Sequence, residues 1–302
     1  RLECTRKLFV AAGMSDAEAK SRSLLSAILI LKGEGRAFCA GYDVSGDKEG
    51  DSTFDWRTKP SMFHLYQHQR RRQERIQGLA EFPKPTIAQV HGHCLEGGCS
   101  LIMACDFALA AEDARFGDPS GRMGLATDLP LWYYLLGIKK AKEMLLTGKT
   151  IDGLEAARIG LISQAVPFDR LEDEVERLAQ ALLLLPQEAL RNNREGFQAA
   201  LEARGLAAGF RFAGDMRVFS VLQRPGSRPG EFNFYEARDK KGLKAVFEEC
   251  AVEVLTNGDQ RPSREEVQKL HKNFFNYNTL ITNFADSEGE LNKKEHGAFL
   301  FY

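Results

Sequence analysis

Two adjacent glycines and a serine stand at the start of an apolar block, in the stretch Leu95-Glu-Gly-Gly-Cys-Ser100 that runs into Leu101–Cys105. Glycine in the interior of a helix costs about 1 kcal/mol relative to alanine, so its use here needs a reason. At the start of a helix, glycine lets backbone N–H groups approach a ligand closely, and the helix dipole favours a negative charge there. The stretch therefore predicts an anion site at a helix N-terminus.

A second glycine-bearing loop, Ala40-Gly41-Tyr42-Asp43, follows an earlier apolar run. If both loops lie at the same end of a parallel sheet, two backbone N–H groups can converge on one oxygen. Such a pair of donors is an oxyanion hole, which stabilises an enolate or a tetrahedral adduct formed from a carbonyl. The alternative is that these glycines only permit tight turns.

The elements that would position these loops follow from the hydrophobic pattern. Short apolar runs bounded by turn residues predict buried strands at 26–32, 86–90 and 107–111, with a further extended segment at 161–166. Helical periodicity and capping residues predict helices at about 61–80, 129–146, 150–160, 169–185, 187–205 and 232–250. Because strand, glycine loop and helix recur, we expect an α/β fold with parallel pairing. The three consecutive arginines Arg70–Arg72 are expected on a solvated helix face, with phosphate contact as the alternative.

Composition excludes several classes of protein. The chain has 302 residues, 43% of them hydrophobic, which is enough for a substantial core. With 41 basic and 42 acidic residues its net charge is −1, so no overall field draws it to nucleic acid or to a membrane surface. No apolar run approaches the roughly 20 residues of a spanning helix. We therefore expect neither nucleic acid nor a membrane as a partner.

Three of the six cysteines, Cys94, Cys99 and Cys105, lie close together but lack the second ligand pair of a zinc site. They are expected to be small buried thiols, as in a reduced intracellular protein, cytoplasmic or mitochondrial. The chain begins at Arg1 rather than at methionine, which is compatible with a removed leader or a fragment.

Taken in order, four signatures resemble those of the crotonase, or enoyl-CoA hydratase/isomerase, superfamily. The runs Gly35–Val44 and Lys84–Asp106 are similar to its first and second signatures. Ala114–Gly117 and Leu145–Pro167 continue the resemblance, which spans about 26–250. Four ordered signatures with compatible spacing are a specific signal, unlike a single short motif.

The resemblance implies an α/β fold of crotonase type (ClpP/crotonase), a spiral of β-β-α units with a C-terminal helical region. It also implies an acyl-CoA thioester substrate, a role in fatty acid metabolism, and a homotrimer or a dimer of trimers (a homohexamer). Coenzyme A would enter only as part of the substrate, with no further cofactor. The predicted organisation is an atypical segment at 1–25, a crotonase-like acyl-CoA domain at 26–250 and a polar extension at 251–302.

By the same resemblance, the oxyanion hole is formed by the backbone N–H groups of Tyr42 and Gly97. Its neighbours Ala40, Gly41, Asp43 and Gly98 are expected to bind substrate. Hydration, isomerisation and some C–C cleavages of acyl-CoA pass through an enolate-like oxyanion, so other side chains choose the reaction. The sequence predicts a lyase or isomerase of the enoyl-CoA hydratase/isomerase type.

The sequence departs from the family at both positions where its hydratases carry catalytic glutamates. Ser100 and Ser120 stand there, and a hydroxyl does not act as a carboxylate base near neutral pH. Asp128 and Asp118 are the candidate replacements, against a helix N-cap role for Asp128 and a loop-capping role for Asp118. Glu96 occupies the place where the family often has the first glycine of a triple.

His93 and Trp132 are candidates for lining the acyl pocket, with ordinary packing as the alternative for each. Two other functions remain open. One is an acyl-CoA hydrolase or C–C lyase with an aspartate base. The other is a non-catalytic acyl-CoA-binding or assembly protein, which the missing glutamates favour.

A second, weaker resemblance lies in the tail, where Asp286–Glu295 is similar to the later part of an EF-hand calcium loop. Glu295 fits the bidentate position, and Asp286 and Glu288 are weak further ligands. Phe284 falls at the first ligand position and cannot bind calcium. The segment is therefore expected to be a degenerate EF-hand, and no metal is predicted.

Overall fold

The computed structural model describes residues 28–42, 61–223, 233–242 and 246. The chain divides into two compact units, residues 1–222 and 223–302. The predicted segment 1–25, the substrate-binding candidate Asp43 and the whole tail, with Asp286, Glu288 and Glu295, lie outside the described residues.

The strands form two sheets in the first unit. Their bounds are β1 (Leu29–Lys32), β2 (Thr86–Val90), β3 (His93–Leu95), β4 (Phe107–Ala111), β5 (Arg115–Gly117), β6 (Thr150–Ile151) and β7 (Gln164–Val166). The larger sheet has the order β1-β2-β4-β7 and is parallel throughout. The smaller sheet has the order β3-β5-β6, with β3 parallel and β6 antiparallel to β5. The predicted parallel pairing is therefore confirmed.

The central strands β2 and β4 begin and end where the sequence predicts them. Both are buried along nearly their whole length, β2 beside β1 and β4 beside β7. In register, Ala88 lies opposite Ala108 and Ala110 opposite Ala165. Strands covered on both faces read as continuous apolar runs rather than as alternating patterns, which is why these two were easy to recognise.

The helices of the first unit are α1 (Met62–Ala80), α2 (Gly97–Ala104), α3 (Leu131–Thr147), α4 (Gly153–Arg158), α5 (Leu171–Leu183), α6 (Gln187–Ala203) and α7 (Leu206–Gln223). Most match their predicted ranges to within a few residues. The helix predicted at 129–146 is broken at Gly137, whose φ of 73° is not helical. Near the start of α1, Phe63 is 68% exposed, whereas Ile76 and Leu79 in its last turns are buried.

Helix α7 has no counterpart among the predicted helices. Its apolar and polar residues are distributed around the whole helix, so the sequence lacks the one-sided pattern that marks a surface helix. It is nevertheless packed into the fold, with Leu206, Phe210 and Val218 buried. Tertiary packing therefore decides where this helix lies.

The core lies between the larger sheet and the surrounding helices and includes Leu79, Ile87, Ala110 and Phe116. Cys94 and Cys99 are buried free thiols, as predicted, whereas Cys105 is a free thiol that is only partly buried. Burial raises the pKa of Cys105 to about 12 and that of Cys94 well above its usual value. These thiols therefore stay protonated near neutral pH.

The second unit is described over one helix, α8 (Phe234–Lys241), which covers the first part of the helix predicted at 232–250. Asn233 caps it, since its side-chain oxygen accepts from the N–H groups of Tyr235 and Glu236 at 3.1 Å each. Over the part of the chain that the structure describes, no helix combines the length and apolarity needed to cross a membrane.

Candidate active site

The two glycine loops lie side by side. The segment before Tyr42 runs along β3, where Cys39 N–H donates to His93 O and Leu95 N–H donates to Cys39 O, each at 2.9 Å. One residue earlier, Phe38 N–H donates to His91 O at 2.8 Å. This pairing carries the chain to Tyr42, beside the start of α2.

Glycine is required where this segment meets α2. A Cβ atom on Gly98 would lie 2.8 Å from Cys39 Cβ, closer than such atoms come in proteins. A Cβ atom on Gly97 would lie 3.2 Å from Tyr42 Cζ, so the phenol ring covers Gly97. The absence of a side chain at Gly98 therefore lets the two backbones approach closely. The absence of one at Gly97 leaves room for the Tyr42 ring.

Tyr42 N–H, one of the two predicted oxyanion donors, donates to the Glu96 carboxylate, with 3.2 Å between N and Oε2. Glu96 immediately precedes the other predicted donor, Gly97. Among the described residues, Glu96 is the one non-glycine residue with a positive φ, at 46°. A carboxylate oxygen thus accepts from one of the two N–H groups that the sequence predicts to hold a substrate oxyanion.

The other oxygen of this carboxylate is anchored inside the protein. Ser120 Oγ donates to Glu96 Oε1 at 2.8 Å, and Arg217 Nη2 donates to the same oxygen at 3.0 Å. Arg217 also donates to Ala126 O at 2.9 Å. Glu96 and Arg217 are 5% and 6% exposed, so they form a buried, hydrogen-bonded ion pair.

The two serines at the family's glutamate positions, Ser100 and Ser120, are both engaged in hydrogen bonds inside the protein. The Ser100 hydroxyl donates back to Glu96 O at 3.2 Å, one helical turn earlier, and is buried. Asp118 Oδ1 accepts from Ser120 N at 3.0 Å, at the start of the turn Pro119–Met123, so its loop-capping role is confirmed. Burial, and then the charge of Glu96, raise the pKa of the Asp118 carboxyl.

Asp128 is fixed by α1. Its Oδ2 lies 2.9 Å from Arg72 Nη2 in an ion pair and accepts from Gln69 Nε2 at 3.2 Å. Its backbone oxygen accepts from Gln73 Nε2 at 2.9 Å. The alternative that Asp128 caps α3 is wrong, because Pro130 holds the N-cap position and no side chain caps the helix. Asp128 instead ties the loop before α3 to α1.

Arg72 connects Asp128 to the predicted hole. Its guanidinium carbon lies 3.6 Å from the centre of the Tyr42 ring, in a cation–π contact. Burial and the charge of Asp128 raise the pKa of the Tyr42 phenol to about 12, which keeps it protonated at neutral pH. The Nε atom of Arg72 is buried without a hydrogen-bond partner, so this guanidinium retains one unused donor in addition to the ion pair with Asp128.

The remaining predicted residues lie in varied surroundings. Ala40 is exposed, and Gly41 adopts a φ of 97° with its α-carbon next to Glu96. His93 is exposed at the start of β3. Trp132, at 1% exposure, lies in the core near the start of α3. Over the described residues, no group of three His, Cys, Asp or Glu side chains is arranged to hold a metal ion.

Two arginines of the site were not predicted. Arg217 lies on α7, where the sequence offers no helical periodicity. Arg72 was expected to be solvated with Arg70 and Arg71, which are exposed. A signal was present for Arg72, since Gln69, Arg72 and Gln73 share the α1 face that also carries the buried Ile76.

Comparison with known proteins agrees with these loops and sheets. The sequence model of the enoyl-CoA hydratase/isomerase family matches residues 17–242, which is most of the chain. The chain belongs to the enoyl-CoA hydratase/isomerase family. The crotonase-type α/β fold predicted from the sequence is thereby confirmed, and the four signatures belong to that family.

Relatives of this family member include a probable enoyl-CoA hydratase of Mycobacterium bovis, 34% identical over 178 residues. That match covers 58% of this chain and 65% of the mycobacterial protein, so the chain spans just under two thirds of that relative. A probable mitochondrial enoyl-CoA hydratase of Dictyostelium discoideum is 32% identical over 217 residues, covering 70% of this chain and 72% of the relative.

Among solved structures, an enoyl-CoA hydratase/isomerase from Xanthobacter autotrophicus Py2 is similar in fold to this family member. The TM-score is 0.67 at 26% sequence identity, and the match covers 78% of this chain and 86% of the other.

Proposed function

We propose that this protein acts on acyl-CoA thioesters through an enolate whose oxygen accepts hydrogen bonds from Tyr42 N–H and Gly97 N–H. One observation carries the proposal: Tyr42 N–H already donates to a carboxylate oxygen of Glu96 at 3.2 Å. That oxygen is a stand-in for the thioester oxyanion. A donor that binds the carboxylate oxygen of Glu96 can bind the thioester oxygen in its place when Glu96 moves aside.

Gly97 supplies the second donor in this proposal. It is the first residue of α2, and the N–H groups of the first turn of a helix have no acceptor within the helix. The positive end of the helix dipole adds to the stabilisation of a negative oxygen. In comparable oxyanion holes, one donor contributes roughly 3 to 4 kcal/mol to the transition state.

The reaction class proposed is that of a lyase or isomerase in fatty acid metabolism. Coenzyme A is part of the substrate, and the protein works inside the cell as a homotrimer or dimer of trimers. The mitochondrial label of the Dictyostelium relative supports an intracellular location. The two-glutamate mechanism of hydration is not proposed, because Ser100 and Ser120 occupy both glutamate positions.

Hydrolysis or C–C cleavage with an aspartate base receives less support. The Asp128 carboxylate already binds Arg72 and Gln69, both on α1.

A non-catalytic acyl-CoA-binding protein is the second candidate, and one observation favours it. The protein's own Glu96 occupies the Tyr42 donor, and a permanent occupant would prevent catalysis.

Gly97→Pro tests the proposed hole, because proline removes the donor N–H and is tolerated at the first position of a helix. We expect turnover to fall roughly 100-fold or more, with circular dichroism unchanged. Turnover is measured by mass spectrometry on saturated and 2-enoyl and 3-enoyl thioesters, with NMR to detect double-bond shifts. Gly97→Ala is the matched control, since it keeps the N–H and meets only the end of the Tyr42 side chain.

The outcomes separate the two candidates. If any thioester is converted by the wild type but not by Gly97→Pro, the result supports the proposed enzyme. Binding by calorimetry with no change in mass or NMR spectrum supports the binding protein. If no thioester binds to the folded protein, both candidates are wrong.

A further inference from the structure

We propose, resting on the function proposed above, that Glu96 is the catalytic base that removes the α-proton of the thioester. A carboxylate at position 96 would thereby replace those absent from positions 100 and 120. Neither the family signatures nor the spacing of acidic residues assigns this role to Glu96. The assignment depends on where its side chain lies.

Glu96 contacts the side chains of both substituted positions, through its carboxylate at Ser120 and through its backbone oxygen at Ser100. Ser120 Oγ is 2.8 Å from Glu96 Oε1, so a longer acidic side chain at 120 would extend into the space that this carboxylate fills. The Ser100 hydroxyl donates to the backbone oxygen of Glu96, so it is engaged one helical turn earlier and supplies no base. One glutamate from another backbone position therefore places its carboxylate beside position 120, where the hydratases carry one of their two glutamates.

The backbone of Glu96 gives an independent indication. Its φ of 46° and ψ of −106° lie in a region that glycine adopts freely and that other residues adopt only under strain. Glycine would fit this position without that cost, and glycine is common here in the family. Such strain persists where the surrounding structure holds a side chain in place, and it clusters at functional sites.

The two oxygens of the carboxylate have different partners. Oε1 accepts from Ser120 and from the buried Arg217. Oε2 accepts from Tyr42 N–H. When a thioester carbonyl oxygen takes the Tyr42 N–H, Oε2 is released while Oε1 stays anchored. The released oxygen then lies beside the hole, and the α-carbon of the thioester is one bond away from the carbonyl carbon held there.

The proton transfer balances within the site. Oε2 takes the α-proton, and the electrons of the broken C–H bond form a double bond between the α-carbon and the carbonyl carbon. The carbonyl π electrons move to oxygen, and Tyr42 N–H and Gly97 N–H hold the resulting enolate. In a 3-enoyl thioester, Glu96 returns the proton to the γ-carbon, which gives the 2-enoyl product. One carboxylate suffices for this double-bond shift and no water is needed.

Exchange of α-protons with solvent measures the proposed step directly. The full chain is incubated in D2O with butyryl-CoA, and deuterium uptake at the α-carbon is followed by mass spectrometry. Binding of the same thioester is measured by calorimetry. We expect Glu96→Gln to lower exchange at least 100-fold and to change the Kd less than fivefold, because glutamine keeps the size of the side chain and its amide oxygen can still accept from Ser120 and Arg217, but it is no base. Glu188→Gln, on the exposed surface of α6, is the matched control and should exchange like the wild type.

A relocated carboxylate separates a base from a merely structural residue. In Glu96→Gly combined with Ser120→Glu, the carboxylate returns to the family's own position and can still pair with Arg217. We expect exchange at least tenfold faster than in Glu96→Gly alone. If Glu96→Gln does not fold, this pair of variants decides: recovery supports the proposal, and a folded double variant without recovery overturns it.

The results distinguish the two levels of proposal. A wild type that binds no thioester and exchanges no proton contradicts the proposed function itself. A wild type that exchanges while Glu96→Gln exchanges equally fast leaves the function standing and overturns the role of Glu96. Loss of exchange in Asp128→Asn or Asp118→Asn, with Glu96→Gln active, would assign the base to that aspartate instead.

Discussion

At the level of residues, three buried carboxyl groups face two guanidinium groups in the candidate site. The carboxyl groups belong to Glu96, Asp118 and Asp128. The guanidinium groups belong to Arg72 and Arg217. Charges inside a protein are costly unless they are paired. Asp118 is the acid that contacts neither arginine in an ion pair, and its pKa is raised by burial and by Glu96. The other four groups form two ion pairs, so Asp118 is the one acid of the five without an ionic partner among them.

This imbalance predicts how stability depends on pH. A carboxyl whose pKa is higher in the folded than in the unfolded protein binds more protons when folded. It therefore lowers the free energy of unfolding as pH rises from about 4, the unfolded value, toward its raised folded pKa. We expect Asp118→Asn to flatten this fall, by at most about 1.4 kcal/mol per pH unit. The amide oxygen still accepts from Ser120 N, so the loop cap is preserved.

Urea unfolding between pH 4 and pH 8 measures the effect, with wild type and Asp118→Asn compared at each pH. The difference between the two curves should grow in favour of the variant as pH rises. A constant difference would mean that Asp118 titrates alike in the folded and unfolded protein, and the charge balance described above would be wrong.

At the level of elements, the geometry of the hole depends on how closely α2 approaches the segment before Tyr42. Gly98 sets that approach, because its α-carbon faces Cys39 with no room for a further atom. Backbone shifts of less than 1 Å are enough to misplace a catalytic donor. The contact of this one glycine therefore couples packing to function.

Gly98→Ala is expected to push α2 away from Cys39. The new methyl group would meet the Cβ and the carbonyl oxygen of Cys39, and neither atom can rotate aside. We predict a loss of about 1 to 3 kcal/mol in the free energy of unfolding, the usual cost of overpacking. Thioester turnover should fall at least tenfold, because Tyr42 N–H and Gly97 N–H separate. Urea unfolding and turnover assays check the two effects.

Gly196→Ala is the matched control on α6. Nothing lies within 4 Å of a Cβ atom built there, so alanine adds helix propensity without a clash. It should raise stability by up to about 1 kcal/mol and leave turnover unchanged. If Gly98→Ala behaves in the same way as this control, the close contact with Cys39 is not what positions the hole.

At the level of the whole molecule, the parallel sheet explains why the site forms where it does. Residues of the loops that follow adjacent parallel strands gather beyond the carboxyl ends of the strands, where α/β proteins bind their ligands. Helices α1 and α7 then supply the arginines from distant parts of the chain. The site is therefore a product of the assembled first unit rather than of any one motif.

Large apolar side chains remain on the surface of this unit, among them Ile138 at 58% and Phe212 at 63% exposure. Extended apolar surface favours self-association. In line with the predicted homotrimer or dimer of trimers, light scattering at micromolar concentration should give a mass three or six times 33.8 kDa. A mass of one chain that is unchanged on tenfold concentration would contradict this prediction.

The sequence by itself determined the elements and the loops. Apolar runs, helical periodicity and glycine act over a few neighbouring residues. Short stretches of sequence therefore predict strands β2 and β4, helix α1 and the glycine loops. The two predicted donors and the departure at Ser100 and Ser120 came from the resemblance to the family, whose signatures are also short stretches of sequence. Glu96 was visible as an unusual residue, but without a role.

Only the tertiary structure decided which side chains meet. Glu96 and Arg217 are 121 residues apart in the chain and 3.0 Å apart in the fold. Asp128 pairs with Arg72 from α1, and Trp132 packs in the core, and neither contact was visible in the sequence. Such pairings depend on how α1 and α7 pack against the sheet, and packing is a long-range property that no local pattern of residues specifies.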